Sequence, residues 1–120
     1  MPENLKDSME QSINNAIDKT LADIASINAK LQSENEKSSI SELAKEIFIL
    51  LKKVATDSNE PNLEKVNYIE TKVKVLSNSI ITMKSKNPLI SDLLVADIND
   101  LDFDIKQLIT LIENKQNRNE

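Results

Sequence analysis

The chain has 120 residues and a net charge of −5, and it contains no Gly, Cys, His or Trp. That composition excludes disulfides, the usual zinc ligand sets, a Ser-His-Asp triad, a thiol nucleophile, and the Gly-dependent phosphate and dinucleotide loops. The length is that of one domain, residues 1–120, with a core of its own, and β architectures are disfavoured because their tight turns and bulges call on glycine.

Three polar breaks divide the chain: SENEKSS at 33–39, TDSNEPN at 56–62 and KSKNP at 84–88. Between them the spacing of apolar residues predicts helices over about 3–34, 39–56, 60–86 and 89–115, with a frayed polar tail at 116–120. In the first, Ile13, Ile17, Thr20, Ile24, Ile27 and Leu31 recur at alternating steps of four and three residues. The second carries Ile40, Leu43, Ile47, Leu50 and Val54 in the same rhythm, opened by a Ser39–Glu42 capping box. Its apolar face is wide, with Ala44, Phe48, Leu51 and Ala55 beside that row. Such width places this helix in the middle of the packing.

The third helix repeats the rhythm in Val66, Ile69, Val73, Leu76, Ile80 and Met83, with Asp57 or Ser58 as its cap and Pro61 in its first turn. The fourth shows it in Leu94, Ile98, Leu101, Ile105, Leu108 and Ile112, with Asn87 and Pro88 at the cap and first helical positions. A mean step of 3.5 residues keeps each apolar seam facing a partner helix at a shallow angle. The expected fold is an all-α four-helix bundle with coiled-coil-like heptad packing and helices of unequal length. At about 1.5 Å per residue, helix 1 extends well beyond helix 2.

Asp97, Asp100, Asp102 and Asp104 crowd into DINDLDFD. A calcium loop would need Gly at its sixth position and Glu at its twelfth. Starting at Asp100, those positions hold Ile105 and Leu111. On a helix Asp97, Asp100 and Asp104 instead share one face, and the expectation is a solvated acidic stripe with no metal and no cofactor.

Charge is uneven, about +2 over residues 58–87 and −4 over 88–120. The overall acidity argues against nucleic acid as a partner. The longest apolar run, IFILL at 47–51, is too short to span a membrane. The N-terminal MPENLKDSMEQ does not read as a secretory signal, so a soluble cytoplasmic protein is expected.

Some apolar residues miss the seams. Tyr68 and Val75 lie opposite the helix 3 seam, Phe103 opposite that of helix 4, and Ile49 opposite that of helix 2. Aromatic residues so placed point to a partner surface. Met9, Ile13 and Ile17, on a helix longer than its neighbours, are expected to stay uncovered in a monomer and to form the junction of a homodimer or a heteromeric helical complex. The function these features imply is non-enzymatic protein–protein interaction, as a small helical subunit, adaptor or scaffold. The alternative is a small acidic inhibitor or immunity-type protein that neutralises a basic partner, through residues such as Asp97, Asp100 and Asp104.

Overall fold

A computed structural model describes residues 2–33, 39–57, 61–86 and 92–118. Within them lie four helices and no strand: α1 (Pro2–Ser33), α2 (Ser39–Thr56), α3 (Leu63–Lys86) and α4 (Asp92–Arg118). Each packs against two others, α1 on α2 and α4, and α3 on α2 and α4. Successive helices run antiparallel. Lys115 near the end of α4 meets Glu10 near the start of α1, while Asp97 near the start of α4 meets Lys30 near the end of α1. The molecule measures 53 × 21 × 19 Å, about one long helix in length and two helices across in each short direction.

The core is a continuous column of aliphatic side chains. Ile13, Ile17, Ile24, Ile27 and Leu31 of α1 meet Leu94, Ile98, Leu101, Ile105, Leu108 and Ile112 of α4, with α2 and α3 closing the other side. Thr20 is tolerated in this column because its hydroxyl donates to the carbonyl of Ala16 at 2.7 Å, which satisfies the one polar group it brings in. On α2 the buried row is Ala44, Ile47, Leu51 and Val54. Ile40, Leu43 and Leu50, expected in the seam, are only partly buried. The wide apolar face of α2 is explained by its contact with both α1 and α3, but α2 is not central, since every helix has two neighbours. Asn28 ties α1 to α2: its side-chain amide donates to the carbonyls of Ile24 at 3.0 Å and Ala44 at 3.1 Å.

Helix ends differ from expectation where capping chemistry decides them. α3 starts at Leu63 rather than 60 because Asn62 is its cap, its side-chain oxygen accepting the amides of Glu64 at 2.8 Å and Lys65 at 3.3 Å. Pro61 therefore precedes the cap instead of entering the first turn. Asp57 closes α2, its amide donating to the carbonyl of Lys53 at 3.0 Å, while Ser58 lies outside the described residues, as do Asn87 and Pro88. α4 is helical to Arg118, past the expected end at 115. Lys115, at the expected end, is buried and pairs with Glu10 at 3.3 Å, so α4 packs on α1 up to that point.

Candidate functional surfaces

Burial within the single chain corrects the expectation for α1. Ile13 and Ile17 are 2% and 3% exposed, covered within the single chain, and Met9 is half-buried. The expected uncovered stripe is absent because α1 has a partner of nearly its own length, 27 residues of α4 against 32. The apolar residues opposite the seams, by contrast, reach solvent: Tyr68 is 55% exposed, with Val75, Phe103 and Ile49 similar. Ile81 and Leu93 are also exposed. Sequence periodicity alone did not single these two out, because each sits beside a seam residue, Ile80 or Leu94.

Tyr68 lies at a groove of about 450 Å³ between the C-terminal half of α2 and the start of α3. Leu50, Val54 and Ile69 give it an apolar lining, and Lys53 and Lys65 add positive charge. The groove lies where α2, with 18 residues the shortest of the described helices, ends at Thr56 and α3 begins at Leu63. Lys72 stands 4.9 Å above the Tyr68 ring in a cation–π contact and pairs with Glu46 of α2 at 2.9 Å. The hydrogen bond to Glu46, then that to Tyr68, hold the Lys72 ammonium above its ordinary value. Tyr68 is thus oriented by a neighbour while its ring edge stays open. Val75 lies two turns further along the same face of α3, whereas Phe103 is on α4 and is not part of this groove. A second groove, about 410 Å³, runs between α1 and α2, with Ala25, Ala29, Phe48 and Ile49 in its lining.

The aspartates of α4 do not form a free solvated stripe. Asp97 accepts hydrogen bonds from Ser26, at 2.8 Å, and from Lys30, both on α1. Asp102 pairs with Lys106 on its own helix at 2.9 Å. Asp104 is 4% exposed, with Lys19 at 3.4 Å from one oxygen and Asp23 of α1 beside it. Asp100 is exposed. Asp97 and Asp104, seven residues apart and just ahead of Ile98 and Ile105, share the flank of the seam that meets α1, whereas Asp100, just ahead of Leu101, reaches solvent.

Burial, the hydrogen bond to Asp104, and the negative charges of Asp104 and Asp100 push the Asp23 carboxyl from 3.8 up to about 8, against the opposing pull of Lys19. Among the described residues no group of three acidic side chains converges as metal ligands, and no helix is long and apolar enough to cross a membrane. No family model, curated protein or solved structure matches the chain.

Proposed function

We propose that the protein is a non-enzymatic protein–protein interaction module, a cytoplasmic adaptor or subunit of one domain, whose α2–α3 groove receives an amphipathic helix from a protein partner. Its own helices pack with heptad-type knobs-into-holes geometry. The observation that carries this reading is Tyr68: an aromatic ring more than half exposed, at the edge of an apolar groove, on a chain whose core is closed without it. Aromatic anchors beside apolar pockets supply much of the energy of helix-in-groove interfaces. Lys53 and Lys65 at the same groove favour a partner helix with acidic residues flanking its apolar face. The partner is a different protein, because the junction that would have favoured self-association, around Ile13 and Ile17, is already filled by α4. The acidic-inhibitor reading has less support, since Asp97, Asp102 and Asp104 are engaged within the chain.

A photo-crosslinking residue at position 68, in cells, identifies the partner, which is then purified. Its affinity is expected to fall about 30-fold in Tyr68→Ala, as for a hot-spot aromatic, and about tenfold or more in Lys53→Glu/Lys65→Glu. Phe103→Ala leaves it unchanged. Binding that survives the Tyr68 and lysine changes, or that is lost only through Phe103, overturns the assignment, as does the absence of any protein crosslinked from position 68.

A further inference from the structure

The α1–α4 contact contains an arrangement that partner binding does not explain. Asp23 and Asp104 face each other across it, and the Oδ2 atom of each is shielded from solvent without a donor among the described residues. Two ionised carboxylates so placed would repel in a region with little water, and two orphaned acceptors would remain. One proton resolves both problems, because a protonated Asp23 donates to Asp104 and the negative charge that remains faces Lys19, 3.4 Å from the other Asp104 oxygen. We propose that Asp23 and Asp104 form a carboxyl pair holding a single proton, and that release of this proton loosens the α1–α4 seam.

The charged groups acting on Asp23 all belong to this contact: Asp104 and Asp100 from α4, and Lys19 one turn back on α1. Among the described residues none comes from α2 or α3. Asp100, exposed, adds negative charge that favours keeping the proton; Lys19, largely in solvent, only partly offsets it. The unfolded chain gives up the Asp23 proton near 3.8, and the folded chain holds it to about 8. The pair's contribution is complete below the lower value and is lost as pH rises through the upper one. The background is quiet, because the chain has neither His nor Cys, so the α-amino group is the main other group titrating near neutrality.

The melting temperature of the full chain, followed by circular dichroism from pH 6 to 9.5, is expected to fall steadily by about 10 °C up to pH 8 and to level off above it, because the proton difference between the folded and unfolded chains persists until the folded pair titrates. Asp104→Asn and Asp23→Asn should each flatten the profile, since an amide supplies the missing donor without a charge. Asp100→Asn should keep a fall but shift it toward lower pH. In the unaltered protein, the carboxyl carbon resonance of Asp23 should titrate near 8 in an NMR series. A flat wild-type profile, a fall that persists in both pair variants, or an Asp23 resonance that titrates near 4 each overturns the proposal.

Discussion

Leu51→Asp is expected to unfold the protein, whereas Leu50→Asp, one residue earlier, leaves it folded. Leu51 is fully enclosed, in the row formed with Ala44, Ile47 and Val54. An aspartate there has no cationic partner and no solvent, and its cost is several kcal/mol, a large part of the roughly 5–15 kcal/mol that holds a domain folded. Leu50 is only partly buried and lines the α2–α3 groove, where a carboxylate reaches water and the basic side chain of Lys53 is one turn away. Its replacement should cost about 1 kcal/mol, within the ordinary range for a half-exposed site. Urea denaturation of the two variants, followed by the helical signal, separates them. The reverse ranking would show that α2 turns its Leu50 edge to the core, and the groove around Tyr68 would then not exist in this form.

Ile13→Ala and Ile17→Ala are each expected to destabilise the isolated chain by about 3 kcal/mol, as large-to-small changes in an enclosed core do. Both side chains are nearly inaccessible, packed in the same column as Leu108 and Ile112. The measured loss should be the same at low and high micromolar protein, because the cavity lies within one molecule. A loss that grows on raising the concentration would place these residues at a junction between chains. The double variant should be close to unfolded, with the two effects roughly additive or somewhat less, since the sites lie one turn apart.

The four helices were legible in the sequence because the apolar rhythm runs through each of them and glycine is absent, and α2 appeared with its expected bounds. The seam of α2 was harder to read. With Ile47, Phe48, Ile49, Leu50 and Leu51 in succession, periodicity admits two neighbouring rows, and only contact with both α1 and α3 selects Leu51 over Leu50. The start of α3 was misplaced because Asp57, Ser58 and Asn62 are all capping residues, and only the bonds from the Glu64 and Lys65 amides to Asn62 select among them.

On the surface, Tyr68, Val75 and Phe103 were found from angle alone, since an outward position opposite a seam needs no knowledge of neighbours. The groove beside Tyr68 was not legible, being a property of how two helices approach. The aspartates show the same limit. Their shared face was visible, but not that it turns toward α1. A signal was present: Asp23 and Lys30 on α1 sit just ahead of Ile24 and Leu31, as Asp97 and Asp104 sit just ahead of Ile98 and Ile105. Two such sets seven residues apart, on helices running in opposite directions, meet along one edge.

The closed single-chain core and the open α2–α3 groove are tested together by hydrogen–deuterium exchange on the full chain, alone and with the purified partner captured from position 68. Added protection is predicted over residues 50–56 and 63–72, with residues 13–27 and 98–112 already protected in the chain alone and unchanged on binding. Protection gained across 13–27, or binding without any gain over 50–56 and 63–72, would contradict the account.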